Sequence, residues 1–185
     1  MPEKKRKLKP WTTLSSKIVH KNKFYAIRHD KYVLPNQEIG DYFVFDKKTA
    51  VFIVPVKDGK IIMGKQFRYP IKQWSIEVPG GGVREGQSHS KVAKQELKEE
   101  AGYIGKLKKI GSFATNNGVS SEITSVFLAT DLKFIGTKLE NTEDIKPLEI
   151  DITKAYEMIE NGEIIDSMTI SALSIARKYL LNNSK

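Results

Sequence analysis

Gly80-Gly81-Gly82-Val83-Arg84-Glu85-Gly86-Gln87-Ser88-His89-Ser90-Lys91-Val92-Ala93-Lys94-Gln95-Glu96-Leu97-Lys98-Glu99-Glu100-Ala101-Gly102-Tyr103 is the stretch on which the reading of the fold turns. Ser88 supplies a helix N-cap oxygen and Gly102 a natural residue just past a helix end. At about 100° per residue, Glu99 and Glu100 fall at about 300° and 40° from Glu96, so three carboxylates share one arc. Ala93, Leu97 and Ala101 form an apolar stripe, and Lys91, Lys94 and Lys98 lie on the opposite, solvent side. Like charges three and four residues apart destabilise a helix unless something neutralises them. A solvated acidic stripe is the plain alternative. Clustered carboxylate oxygens suit a hard divalent cation better, and the glycine-rich turn upstream lets backbone carbonyls approach the same ion. The stretch is not a P-loop, because no Gly-Lys-Ser/Thr follows. Nor is it a dinucleotide fingerprint, because Glu85 stands where the last glycine of that motif belongs.

Outward from this helix the chain alternates strands and helices. Ala50–Val56 reads as a fully apolar strand and Ile61–Phe67 as its return, joined by the hairpin signal Lys57-Asp58-Gly59-Lys60. Ser75–Val78 follows, then strands near Ser125–Ala129 and Leu148, a helix over about Ile152–Asn161 stopped by Gly162, and a last helix from Met168 to Leu181. Before them, Ser16–His20, Phe24–Asp30 and Tyr42–Phe45 read as a small antiparallel meander. The expectation is an α/β layered domain over residues 48–185, a β appendage over 11–47, and a basic tail over 1–10.

Composition bounds the function. The 185 residues contain no cysteine, which excludes disulfides, thiol nucleophiles and Cys-ligated metals. The longest apolar run, Ala50–Val56, is far short of the roughly 20 residues of a membrane span. No apolar stretch follows the charged N-terminus as in a secretory signal, so a cytoplasmic protein without a membrane partner is expected. The formal net charge of +9 raises a nucleic-acid reading. Residues 1–10 alone carry +4 of it, while residues 104–185 sum to −1. A solvated basic tail accounts for that distribution, and a nucleic-acid partner is not expected.

Gly81 to Tyr103 resembles the Nudix box: Gly, five residues, Glu, seven residues, then Arg-Glu-U-x-Glu-Glu-x-Gly-U with U apolar. Gly81, Glu96, Leu97, Glu99, Glu100, Gly102 and Tyr103 stand at the matching positions. Two departures are Gln87 in place of the first Glu and Gln95 in place of the Arg. The resemblance implies a Nudix-type α/β/α sandwich with a mixed sheet. It also implies that Mg²⁺, with Mn²⁺ as a substitute, is held by Glu96, Glu99, Glu100 and the Gly80 carbonyl, with Gly81, Gln87, Gln95 and Gly102 as structural positions of the box. Family members pair the residues at 87 and 95 as ions, so an amide–amide hydrogen bond between Gln87 and Gln95 is expected here.

Gln66-Phe67-Arg68-Tyr69-Pro70, Trp74–Pro79 and Gly162–Ile170 are similar to segments of ADP-ribose pyrophosphatases and related nucleotide-sugar hydrolases. That branch implies hydrolysis of a nucleoside diphosphate linked to another group, to a nucleoside monophosphate and a sugar phosphate. It further implies a homodimer through the N-terminal strands. Asn117 stands where the branch has a proline after the box. Arg68 is the candidate phosphate contact and Glu77 a candidate acceptor from substrate. Alongside Glu99, Glu143 is the candidate catalytic carboxylate, as general base, with Glu140 as its alternative. The competing reading is a Nudix-fold module that binds a nucleotide without cleaving it, which Gln87, Gln95 and Asn117 favour and the three intact glutamates oppose. His20, His29 and His89 lack metal-ligand spacing.

Overall fold

The computed structural model describes residues 8–139 and 144–181, which leaves Glu140, Glu143 and most of the basic tail outside it. The described chain divides into two compact units: residues up to Lys47 with Asn116–Glu122, and Lys48–Thr115 with the rest from Ile123 onward.

The first unit is an antiparallel sheet of β1 (Thr12–Lys21), β2 (Ala26–Val33) and β3 (Ile39–Asp46), in that order. Its strands bury no apolar side chain, and ring contacts such as Trp11 on Tyr32 and Tyr25 on Phe45 join polar pairs across it. Ser16 Oγ donates to Asp30 Oδ1 at 2.5 Å, and Arg28 bonds both Asp30 and Asp46. The Ser16 hydroxyl first, and then Arg28, hold the Asp30 carboxyl below the usual aspartate range. The Asn116–Glu122 loop joins this sheet: Phe45 N donates to Val119 O at 2.7 Å and Ser121 Oγ to Asp46 Oδ1 at 2.8 Å.

The second unit is a mixed seven-stranded sheet: β10 (Ile145–Asp151), β5 (Lys60–Arg68), β4 (Ala50–Lys57), β9 (Ile123–Phe134) and β8 (Tyr103–Ala114) in order. β6 (Gln73–Glu77) pairs with β5, and β7 (Gly80–Gly82) with β4. Only β4 and β9 run parallel among these pairs. β4 is buried on both faces, as its unbroken apolar run requires. Ala50, Phe52 and Val54 pack toward α2 (Ile152–Glu160) and α3 (Ser167–Leu181), and Val51 and Ile53 toward α1 (His89–Glu99). The sheet is thus the middle of an α/β/α sandwich. Asp58 and Gly59, with φ of 50° and 77°, make the tight β4–β5 turn that the Asp-Gly signal demands.

Two elements differ from the sequence reading. The three glycines are not a free turn but strand β7, with Val51 opposite Gly81 and Phe52 opposite Gly80. β8 was not anticipated. It lies at the sheet edge, carries Lys106, Lys108 and Lys109 as edge strands do, and loses register at two places along β9, so its alternation is broken.

Helix α1 is held at both ends and along one face. Ser88 accepts from Lys91 N, and the His89 ring bonds Thr49 Oγ1 at 3.1 Å and Ser125 Oγ at 2.7 Å. At the other end Lys138 N donates to Glu99 O, and Gly102, with φ of 75°, lies against Gly136 and Thr137 backbone so closely that a Cβ would stand 2.9 Å away. Ala93, Leu97 and Ala101 are buried, as their stripe predicts. Leu97→Ala should cost about 2–5 kcal/mol of stability in urea unfolding, because Leu97 is 1% exposed in this face; a change below about 1 kcal/mol would mean that the helix does not rest on it.

Candidate active site

The carboxylate arc of α1 meets the glycine strand. Glu96 lies against Gly81 so closely that a Cβ on residue 81 would overlap its carboxylate, 2.6 Å from Cδ. Gly80 N donates to Glu100 Oε2 at 2.9 Å. Only glycine allows this approach, and at Gly80 a Cβ would also meet Val51 O at 2.6 Å. Glu96 and Glu99 open into a cavity of about 310 Å³ floored by Gly80–Gly82 and walled by Arg84, Gln87 and Gln95. Glu100 turns to an adjoining groove shared with Glu77, Gln66 and Pro79.

Gln87 and Gln95 both line the cavity but do not pair with each other. Gln87 Oε1 accepts from Arg84 N at 3.1 Å, bracing the loop that leads into α1. Gln95 Nε2 donates to both oxygens of Glu99, at 3.3 and 3.1 Å, one helical turn further on. The expected amide–amide bond is therefore replaced by two separate contacts, because an amide at position 95 reaches its i+4 neighbour without leaving the helix face.

The second group of expected site residues also comes together. Arg68 Nε donates to Glu77 Oε1 at 2.8 Å and Arg68 Nη2 donates to Glu77 Oε2, while Gln66 Nε2 reaches the same carboxylate at 3.2 Å. These residues share one face of the β5–β6 hairpin, where Gln66 stands opposite Ser75 and Gly64 opposite Glu77. Hydrogen bonding to the buried Glu77 is the main cause that raises the Arg68 guanidinium above its ordinary value, with Asp166 and Glu100 adding to it. Glu77 is thus first the bidentate partner of Arg68, a role sequence alone did not reveal. Asn117 lies in the loop belonging to the N-terminal sheet, where Asn116 O accepts from both Val119 N and Ser120 N.

Carboxylates and backbone oxygens are the donor set a hard divalent cation takes; Glu96 lies against Gly81 and Glu100 is bonded to Gly80 N, while Glu99 shares the cavity of Glu96. Among the described residues no three His, Asp or Glu side chains are already gathered as a metal cage. The donors fit the ion in kind, with Glu96 and Glu99 in one cavity and Glu100 in the groove beside Gly80.

The NUDIX domain model matches residues 46–163 of this chain, the greater part of it. The chain belongs to the Nudix family. The preceding residues 11–45 match the nucleoside diphosphate sugar hydrolase N-terminal domain. Among characterised relatives of this Nudix chain, the ADP-ribose pyrophosphatase of Bacillus subtilis is 33% identical over 165 residues, covering 87% of this chain and 89% of that protein. The methanol dehydrogenase activator of Bacillus methanolicus is 27% identical over the same shares. A crystal structure of an ADP compounds hydrolase superposes with a TM-score of 0.85 at 19% identity, over 97% of this chain and 98% of that one, which shows the shared fold. The expectation of a Nudix pyrophosphatase, drawn from Gly81 to Tyr103, is met by these matches.

Gly81→Ala should separate geometry from stability. The added methyl meets the mobile end of Glu96 rather than backbone, so unfolding free energy should change by less than about 1 kcal/mol. Displacing that carboxylate should lower kcat/KM on the order of 10²-fold. Full activity in Gly81→Ala would mean that the Glu96 position is irrelevant.

Proposed function

We propose that this chain hydrolyses the diphosphate bond of a nucleoside diphosphate linked to another moiety, ADP-ribose or a nucleotide sugar, and yields a nucleoside monophosphate and a sugar phosphate. The observation that carries this reading is the cavity floored by Gly80–Gly82 into which Glu96 and Glu99 open, with Glu100 bonded to Gly80 N beside it. Glu96, Glu99, Glu100 and the Gly80 backbone are the residues that would hold Mg²⁺, or Mn²⁺ in its place. Bound there, the ion supplies charge screening of the diphosphate and an activated water.

The protein's own contribution is position. The anchored α1 holds its carboxylates at one strand edge, so little reorganisation is left for the moment of reaction. Arg68, fixed on two nitrogens by Glu77, has no bond from Nη1 to the described protein and offers it to a phosphate oxygen. Gln95 steadies Glu99, and Gln87 steadies the loop entering the helix. Because each amide has its own structural partner, neither substitution supports the reading of a binding module over that of an enzyme. Glu143, outside the described residues, is assigned as the general base.

The partner we assign is a second copy of the chain. All residues of β1 are exposed, among them Leu14, Ile18 and Val19, and Trp11 just precedes the strand. An edge strand that exposes Leu14, Ile18 and Val19 gains from a cover, and a homodimer through the N-terminal sheet provides one. No helix among the described residues is long and apolar enough to cross a membrane, and we assign the protein to the cytoplasm.

A panel of ADP-ribose and nucleotide sugars, with Mg²⁺ or Mn²⁺ and with phosphate release measured after phosphatase coupling, tests the activity. Release from at least one member, abolished by EDTA, is expected. Retained nucleotide binding with no release from any member would overturn it. In the same assay Glu143→Gln should reduce kcat by about 10²-fold or more with metal affinity unchanged; an equal loss of metal affinity would make Glu143 a ligand instead.

A further inference from the structure

At the end of β4 away from the glycine strand lies a separate cavity of about 250 Å³. β4 meets the glycines at Ala50–Phe52, whereas this cavity begins at Val56, the last residue but one of the strand. Gly59 in the β4–β5 turn, Leu128 and Thr130 of β9, Ile152 at the start of α2, and Tyr179 and Leu180 near the end of α3 complete the wall. These pieces are fastened to one another. Ile152 N donates to Gly59 O at 3.2 Å, Tyr156 Oη donates to Leu173 O at 2.8 Å, and β4 and β9 form a parallel ladder from Ala50 to Pro55. The space is therefore set by the frame of the domain and not by a free loop.

Its lining is uncharged, with aliphatic walls from Val56, Leu128, Ile152 and Leu180. Charge enters from one side. Lys108 of β8 stands directly opposite Leu128 in the antiparallel β8–β9 ladder, so both side chains leave the sheet on the same face. Its Nζ lies 5.3 Å from the centroid of the Tyr179 ring, and Lys178 Nζ lies 5.0 Å from the same centroid. Two ammonium groups thus crowd one ring of the cavity wall. Among the described residues neither has a carboxylate within ion-pair distance, whereas Lys106, two residues along β8, and Lys57, next to Val56, are matched by Asp131 and Asp58. Like charges this close repel, and an anion beside both removes the repulsion.

Size and polarity set the class of ligand. An apolar cavity of about 150 Å³ holds one benzene ring, so about 250 Å³ admits a ring with a short side chain. The aliphatic walls favour an apolar body and the Tyr179 ring an aromatic one. The lysine pair favours a carboxylate at its end. We infer that this cavity is a binding site, distinct from the acidic cavity on α1, for a small aryl carboxylic acid. The ring lies among Val56, Leu128, Ile152 and Leu180, and the carboxylate is held by Lys108 and Lys178 beside Tyr179. The site does not depend on the hydrolase reading.

A methyl NMR titration of the full-length protein with phenylacetate tests it, because Val56, Leu128, Thr130, Ile152 and Leu180 all carry reporting methyls. Saturable shifts at these methyls are expected. 2-Phenylethanol, the same body without the charge, should bind about tenfold more weakly, and inorganic phosphate, a charge without the body, should leave the methyls unmoved. The double variant Lys108→Gln, Lys178→Gln alters only exposed side chains. It should lose about tenfold in affinity for phenylacetate and bind 2-phenylethanol unchanged. The site would be overturned by the absence of saturable shifts at these methyls, by equal affinity for phenylacetate and 2-phenylethanol, or by the same shifts with phosphate. A double variant that binds phenylacetate as tightly as the unmodified protein would overturn it as well.

Discussion

The close approach of the Glu96 carboxylate to Gly81 is the contact around which this domain is arranged. It requires a residue without a side chain on the strand and a glutamate at one position of the facing helix. It also requires a helix that cannot rotate. His89 bonded to Thr49 and Ser125, the Leu97 face, and the Gly102–Gly136 backbone contact each remove one freedom of α1. A rotation of one residue, about 100°, would send the carboxylates into the core or the solvent. The apolar faces of β4 serve the same end, since Val51 and Ile53 pack on the α1 side while Val51 and Phe52 pair with the glycines.

The Arg68–Glu77 pair extends that geometry. Glu77 is 4% exposed, and a carboxylate so buried needs a partner with fixed geometry. Arg68 provides it bidentately, and the cost of burying one charge is thereby turned into the placement of the other. Glu77 borders both the groove reached by Glu100 and the cleft between the β5–β6 hairpin and the start of α3. One ion pair thus stands between an acidic groove and a cleft with apolar sides.

Much of this was legible in the residues because the informative signals were local. Helical spacing placed Glu96, Glu99 and Glu100 together, Ser88 and Gly102 marked the ends of α1, and Asp58-Gly59 marked the hairpin. The box spacing named the family before any coordinate was needed. What was not legible depends on partners distant in sequence. The glycines are a strand only because β4 lies beside them. β8 hides behind two register shifts and an edge rich in lysine. The amides of Gln87 and Gln95 each had several partners within reach, and the bonds they make, Gln87 Oε1 accepting from Arg84 N and Gln95 Nε2 donating to Glu99, are a matter of rotamers, not spacing. His89, set aside on spacing alone, is a fastener of α1. Asp166 lies in a segment quoted for its family likeness, but its bond to Thr169 N at the start of α3 was not read from it, although Asp166-Ser167-Met168-Thr169 could have been read as a helix cap.

A Mn²⁺ titration followed by electron paramagnetic resonance, comparing the unmodified protein with Glu96→Gln, Glu99→Gln and Glu100→Gln, tests the central claim most directly. Three carboxylates serving one metal site on the glycine strand predict that each substitution weakens Mn²⁺ binding about tenfold or more, with the fold unchanged by circular dichroism. Mn²⁺ binding unaffected by all three substitutions would contradict the account.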